Sequence, residues 1–342
     1  MTRSKWRSAG SKILEAQAGG VIVMILLSVI VFSLINPAYL RPASLITILQ
    51  TIAITGMIAC GSTFVVVAGT FDLTVGGIVA LSGLAAVEVI QALGDASWPV
   101  AVVVGIGVGA VAGAVGGLLV VQLRIPPFIA TLGMMFIVRA VAMYFGSSTV
   151  HGISGPDAFV SLGRGRVLGV PVPVIIFIVI AVVLLVVERR TTYGRRVYAV
   201  RANADSAEIA GVSAYRVRMV AFLISGGVAG LAGVISTAQI KAAAGFYAQG
   251  LELSVLTAIL IGGVSMYGGK GSVLQAALGA VFVGTVSGGL SLLGVPSDFQ
   301  VIVTGCMLAA AIVVYKGLDS AKLAMARSKL AASAETSATQ SP

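Results

Sequence analysis

Residues 45–68 read LITILQTIAITGMIACGSTFVVVA, 24 residues without one charged side chain. A helix rises 1.5 Å per residue, so about 20 apolar residues cross the roughly 30 Å of hydrocarbon in a bilayer. This stretch is long enough, and it is one of a series. Apolar runs recur at 20–35, 75–93, 98–123, 127–145, 172–187, 219–240, 253–266, 273–293 and 301–315. Together they predict an all-α polytopic membrane protein with about ten transmembrane helices. The runs at 20–35, 172–187, 253–266 and 301–315 are short, which gives a range of eight to ten. Composition points the same way. The chain has 342 residues, of which 58% are apolar and 10% charged, whereas a soluble domain of this size carries about 25% charged residues. Mean hydropathy is +1.06 over the whole chain, so its main solvent is the lipid bilayer.

The 22 basic residues outnumber the 12 acidic ones, for a net charge of +10. Nucleic-acid binding would need those cations on one wet face. Here they fall between apolar runs, and aromatics make up only 6%, so no nucleic-acid partner is expected. Cys60 and Cys306 each lie inside apolar sequence and are read as packing residues, with no disulfide framework and no metal spacing. A basic start (Arg3, Lys5, Arg7, Lys12) precedes the first run as in a signal peptide. No small-residue cleavage pattern follows Asn36, so the run is read as a permanent helix.

The connections divide the charges unequally. With the amino terminus inside and ten crossings, 17 basic residues fall on the cytoplasmic side and only Arg41, Arg164, Arg166 and Lys241 outside, while Arg139 lies within a run. That split follows the positive-inside rule and places both termini in the cytoplasm. The chain is then a cytoplasmic tail (1–19), a transmembrane domain (20–315) and a second cytoplasmic tail (316–342), whose last part, 327–342, is expected to be disordered. Within the domain, 147–169 reads as the largest outer loop, with His151, Asp157, Arg164 and Arg166 among glycines, and 188–218 as the main cytoplasmic loop.

Internal similarity suggests an inverted repeat. Asp72-Leu73-Thr74-Val75 has a counterpart in Glu252-Leu253-Ser254-Val255. Gly116-Gly117-Leu118 followed by Pro126 and Phe128 is matched by Gly288-Gly289-Leu290 followed by Pro296 and Phe299. Five crossings separate the acidic motifs, an odd number, so the halves would be inverted, as in many transporters.

Asp72 and Glu252 are also the acids that stand out chemically, each beside a hydroxyl residue, Thr74 and Ser254. A charge at the bilayer centre costs about 3 kcal/mol on insertion scales, so such acids face a cavity or a partner. Two readings stand for them: Asp72, Thr74, Glu252 and Ser254 line a polar translocation path, or the acids cap the following helices. Glu88 and Arg139 lie within runs and could form an intramembrane ion pair. The glycines at 105, 107, 109, 113, 116 and 117 allow close helix packing, and Gly133 is read the same way. In the loop ERRTTYGRRVYAVRANADSAEIAGVSAYRVR (188–218), a short helix over 205–210 is predicted, with Asn203 as cap and Gly211 closing it. Such a surface helix between two crossings suits docking of a cytoplasmic partner, and lipid headgroups are the alternative for its arginines. Catalytic residues are not expected. His151 is the only histidine, and no glycine run leads into Lys-Ser or Lys-Thr to hold a nucleotide.

Four motifs, GTFDLTVGG (69–77), PPFIATLGMM (126–135), YGRRVYAVRANADSAEIAGV (193–212) and ILIGGVSMYGGKGSVLQAALGA (259–280), resemble the permease subunits of bacterial ABC importers of the ribose, xylose, arabinose and galactose class. The resemblance runs in order from about 20 to 315. Phe71 and Thr74 depart from its usual small or aliphatic residue and serine. It implies a permease of the bacterial inner membrane that carries a sugar or sugar-like neutral solute and binds no cofactor of its own. ATP and Mg would be used by a cytoplasmic ATPase with two nucleotide-binding domains. A periplasmic or lipid-anchored solute-binding protein and a second permease, identical or related, would complete the assembly. It also implies that 203–211 is the coupling helix, with Asn203, Ala207, Glu208 and Gly211 at the ATPase contact. The competing reading is a self-contained secondary transporter coupled to protons or sodium through Asp72, Glu252 or Glu88.

Overall fold

The computed structural model describes residues 3–146, 151–152, 157–266 and 268–313. The described residues are mostly helical: α1 (Arg3–Ile35), α2 (Pro42–Val67), α3 (Val75–Leu93), α4 (Trp98–Val121), α5 (Pro127–Phe145), α6 (Asp157–Arg164), α7 (Val172–Arg190), α8 (Thr192–Ala202), α9 (Ala204–Ile209), α10 (Ala214–Ile240), α11 (Leu251–Ile261) and α12 (Val273–Leu292). A thirteenth, α13, covers Ser297–Val313. Proline opens α2, α4, α5 and α7 within their first turns, where its missing N–H has no partner to lose. Two 3-10 turns, Pro37–Leu40 and Asp95–Ser97, and two short antiparallel pairs complete the secondary structure of the described residues. β1 (His151–Gly152) pairs with β4 (Ala242–Ala243), and β2 (Arg166–Val167) pairs with β3 (Val170–Pro171).

Among the described residues, seven helices are long and apolar enough to cross a membrane: α2, α3, α4, α5, α7, α10 and α12. The three further apolar helices are shorter: Gly19–Ile35 within α1, α11, and α13. Every apolar run read in the sequence therefore falls on a helix, but α11 departs from its expected bounds. It ends at Ile261, and its 11 residues span about 16 Å, roughly half the hydrocarbon. Residues 314–315 of the last run, the tail 316–342, and positions 147–150 and 153–156 of the expected outer loop lie outside the described residues.

The centre of the bundle is α10, which packs against α4, α3 and α2, while α12 covers α2 and α11. The α4–α10 crossing is made by glycines at four-residue spacing. A Cβ at Gly109 would stand 2.7 Å from the Gly230 Cα, and one at Gly113 would stand 3.0 Å from the Gly226 Cα, so the two backbones touch. This is the small-residue packing that lipid-embedded helices use in place of hydrophobic burial. Gly107 and Gly133 do not take part. Each faces open space, so the packing role expected for them is corrected.

Beyond α2 the chain turns back into the bundle. Gly69 takes φ +82°, the Thr70 N–H and hydroxyl both donate to the Val65 carbonyl, and residues 70–74 run without helix to the start of α3. Asp72 thereby reaches Ser225, eleven residues into α10 and about 16 Å from that helix's first residue. Non-helical backbone at such depth is tolerated only where protein surrounds it.

Candidate functional site

A cavity of about 530 Å³ opens near the end of α10 that carries Gln239. Thr51 and Thr55 of α2, Ser236 and Gln239 of α10, and Ser254 of α11 are on its wall, and Asp298 is its one carboxylate among the described residues. The Ser236 and Tyr247 hydroxyls lie 2.7 Å apart, and the Gln239 side-chain amide donates to the Gln50 side-chain oxygen at 3.4 Å. Such a wall offers neutral donors and acceptors in both senses and little fixed charge. It matches an uncharged, hydroxyl-rich small molecule better than an ion. Of the four residues expected on a path, only Ser254 lines this cavity.

Asp72 and Thr74 lie a layer deeper, level with Ser62, seven residues or about 10 Å beyond Thr55 on α2. Asp72 is 8% exposed. The Thr74 N–H donates to its Oδ1 at 3.0 Å, the Thr74 hydroxyl donates to the same oxygen, and the Ser225 hydroxyl donates to Oδ2 at 2.7 Å. Because the Ser225 proton is committed to Asp72, Ser62 donates to Ser225 at 2.9 Å. The carboxylate therefore pins the re-entrant 70–74 segment to α10, and through Ser225 to α2.

Glu252, in the first turn of α11, packs against Gly76 at the start of α3, where a Cβ would collide with its carboxylate. Its Oε2 lies 3.7 Å from Arg139 Nη2 on α5, and its Oε1 accepts from the Gly250 N–H at 3.2 Å. The expected Glu88–Arg139 pair is corrected. Glu88 is exposed and lies twelve residues, about 18 Å, along α3 from Gly76, whereas Glu252 meets both Gly76 and Arg139.

At the opposite end of α10, α8 and α9 form a compact hairpin. Asn203 caps α9 by accepting from the Ser206 N–H at 2.9 Å, and Gly211, at φ +80° and open to its surroundings, turns the chain toward α10. Glu208 is exposed, but Ala207 is buried, so it faces the protein and cannot contact a partner. The residue that presents itself is Ile209, 89% exposed. A cleft of about 590 Å³ lies beside it, lined by Glu208, Arg124, Gln122, Tyr215 and Arg218.

Sequence reasoning missed α8, which it read as wet loop, and the residues α8 uses. Tyr198 Oη lies 2.7 Å from both Glu188 Oε1 and the Gly271 carbonyl, and Glu188 Oε2 accepts from Val273 N–H at 2.8 Å, the first residue of α12. Burial first, and the Glu188 charge second, push the Tyr198 hydroxyl well above its ordinary range. The Arg201 stem packs on Gly69, Gly268 and Gly269, whose φ values of 75–82° are open to glycine. The GGKGS run was the available signal: three glycines at positive φ, Gly268, Gly269 and Gly271, next to a cationic helix mark a crowded backbone junction.

A family profile described as "Branched-chain amino acid transport system / permease component" matches residues 44–312. The ribose import permease protein of Bacillus subtilis is 35% identical, with 86% of this chain and 91% of that protein covered. The D-allose transport system permease protein of Escherichia coli K12 is 34% identical, covering 86% and 90%. The L-arabinose ABC transporter permease protein of Azospirillum brasilense is 34% identical, covering 86% of each. No solved structure matches the chain. With the profile spanning most of its helices and these relatives aligned over nearly their full lengths, this chain belongs to the bacterial ABC transport permease family.

Proposed function

We propose that the chain is the membrane-spanning subunit of an ATP-driven, receptor-dependent importer of a neutral sugar or sugar-like solute. The observation that carries this reading is the cavity of about 530 Å³ with hydroxyl and amide side chains and one carboxylate. Relatives named for ribose, D-allose and L-arabinose supply the solute class. In this reading the chain crosses the inner membrane ten times, with both termini cytoplasmic, as the 17-to-4 division of basic residues supports. The cavity then faces outward, toward a solute-binding protein. The α8–α9 hairpin faces the cytoplasm, where Asn203, Glu208, Gly211 and the exposed Ile209 meet an ATPase that consumes ATP and Mg. The acidic motifs at the starts of α3 and α11 support an inverted two-part plan, and a second permease completes the path. Closure of the ATPase halves pushes on α9, and the helices alternate between a cavity open on one face and the cleft beside α9 on the other.

A secondary transporter would need an acid on the path that is free to take up a coupling ion. Asp72 is engaged by three donors and Glu252 by an arginine and a backbone N–H, while Glu88, exposed on α3, is not part of the cavity wall. The test is uptake of radiolabelled ribose, allose and arabinose into proteoliposomes holding the permease, its ATPase and its receptor. Accumulation with internal ATP and none with a proton or sodium gradient alone is expected. Gradient-driven uptake without ATP or receptor would overturn the assignment.

A further inference from the structure

Residues 248–250 form part of the cavity wall, and the chain makes an unusual turn there. Ala248 takes φ +59° and Gly250 φ +80°, and the left-handed region is one that a Cβ-bearing residue such as alanine occupies only when its surroundings hold it. What holds it lies behind the wall. Arg139 Nη2 donates to the Ala248 carbonyl at 3.4 Å and pairs with Glu252 at 3.7 Å, and Glu252 Oε1 accepts from the Gly250 N–H. Both charged contacts are long. A charge-assisted N–H···O bond closes to about 2.7–2.9 Å. Arg139 Nη1 and Glu252 Oε2 have no hydrogen-bond partner among the described residues, although both atoms are buried. Buried ion pairs persist comfortably only when their remaining donors and acceptors are satisfied. This one spans α5 and α11, abuts α3 at Gly76, and is under-bonded on both sides.

We infer that the Arg139–Glu252 pair is a latch that holds the 248–250 turn as a closed wall between the cavity and the deeper part of α11. The inference rests on the cavity being the solute path. Its parts are linked mechanically. The Leu253 and Ser254 N–H groups donate to the Gly250 carbonyl, so release of the turn carries the first turn of α11 with it. Ser254 lines the cavity, and one turn further Thr257 is fully buried, its hydroxyl given to Leu253. With the pair intact, a molecule in the cavity stops at Ser254. With the pair parted, Ala248 relaxes out of the left-handed region and the way past Ser254 toward Thr257 opens. Arg139 and Glu252 are thus positioning residues for the wall and do not themselves bind solute.

The test uses the full chain in proteoliposomes with exposed Cys306 replaced by serine. Ser254→Cys and Thr257→Cys are each combined with Glu252→Gln, with Arg139→Gln, and with both. A membrane-impermeant maleimide is added to either face, and the modified sites are located by mass spectrometry. Ser254→Cys should react in every background. Thr257→Cys should be protected when the pair is intact and react at least tenfold faster in either glutamine variant, with no further gain in the double. Buried Cys60 on α2 serves as an internal control and should stay unmodified. Thr257→Cys remaining protected while Ser254→Cys reacts would overturn the latch and leave the path standing. Thr257→Cys and Cys60 exposed together would also overturn it, as general loosening. An unreactive Ser254→Cys from both faces would remove the cavity as a path, and the latch with it.

Discussion

Asp72 offers the sharpest separation between a carboxylate that acts by its charge and one that acts by its hydrogen bonds. Asp72→Ala removes the acceptor for three buried donors, the Thr74 N–H, the Thr74 hydroxyl and the Ser225 hydroxyl. A buried donor left unsatisfied costs about 1–3 kcal/mol, so three such losses come to roughly 3–9 kcal/mol before the relief of a buried charge is set against them. Asp72→Asn behaves differently. Its side-chain oxygen keeps both Thr74 bonds, and its NH₂ group donates to Ser225, whose hydroxyl then turns to Ser62, reversing the short chain without breaking it. The net loss is about 1 kcal/mol, that of weaker neutral bonds in place of charge-assisted ones. The assay is thermal unfolding of the purified permease in detergent, followed by size-exclusion fluorescence, with sugar uptake measured in parallel. The expected result is an Asp72→Asn protein that melts close to the parent and transports, beside an Asp72→Ala protein that is recovered poorly. Equal damage from both substitutions would refute the hydrogen-bond account and return Asp72 to a role carried by its charge.

Other perturbations test other parts of the account. Gly109→Val places carbon where the Gly230 backbone already sits, and should cost at least the 1–3 kcal/mol typical of overpacking; Gly107→Val, facing open space, should melt within about 0.5 kcal/mol of the parent. Ile209→Asp and Gly211→Arg should each weaken co-purification of the ATPase about tenfold, the scale of one lost anchor, while membrane insertion is unchanged; full co-purification of both variants would count against α9 as the docking element. Alkaline pH should loosen the junction of α8 with Glu188 and the start of α12. The unfolded Tyr198 hydroxyl ionises near its ordinary value of 10.0 while the folded one stays protonated, so stability falls as pH rises above that value, and Tyr198→Phe should flatten the decline.

The order of helices was open to reading because lipid imposes a coarse rule: an apolar run of sufficient length becomes a helix, and over the described residues the runs did so, except that the helix of 253–266 stops at Ile261. Asn203 and Gly211 were legible for a similar reason, since a cap and a closing glycine are local features whose partners lie within three residues. What the sequence did not carry was facing. In a lipid-embedded bundle nearly every position is apolar, so periodicity does not separate core from surface, and Ala207 was placed on the wrong side of its helix while Ile209 went unremarked. Partnering was equally hidden. Arg139 meets an acid 113 positions away because α3 and α11 begin at the same level of the bundle, a consequence of the non-helical 70–74 segment and of the short α11. Those breaks leave only the faint traces of Gly69 and Gly250. The polar cavity was half visible. Ser254 was chosen beside an acid, but Thr51, Thr55, Ser236 and Gln239 sit singly within apolar helices, where nothing local distinguishes a cavity-facing hydroxyl from one that bonds back to its own helix.

Passage of a neutral sugar through the hydroxyl-lined cavity is the proposal on which the rest depends. The most direct measurement is ATP-dependent uptake of ribose, allose, arabinose and leucine, side by side, by the reconstituted transporter and by a form carrying Thr55→Val and Gln239→Leu. Uptake of at least one sugar is expected, with leucine at background and a fall in sugar uptake of about tenfold when those two polar side chains are lost, equivalent to about 1.4 kcal/mol. Leucine uptake exceeding that of every sugar, or sugar uptake indifferent to the two substitutions, would contradict it.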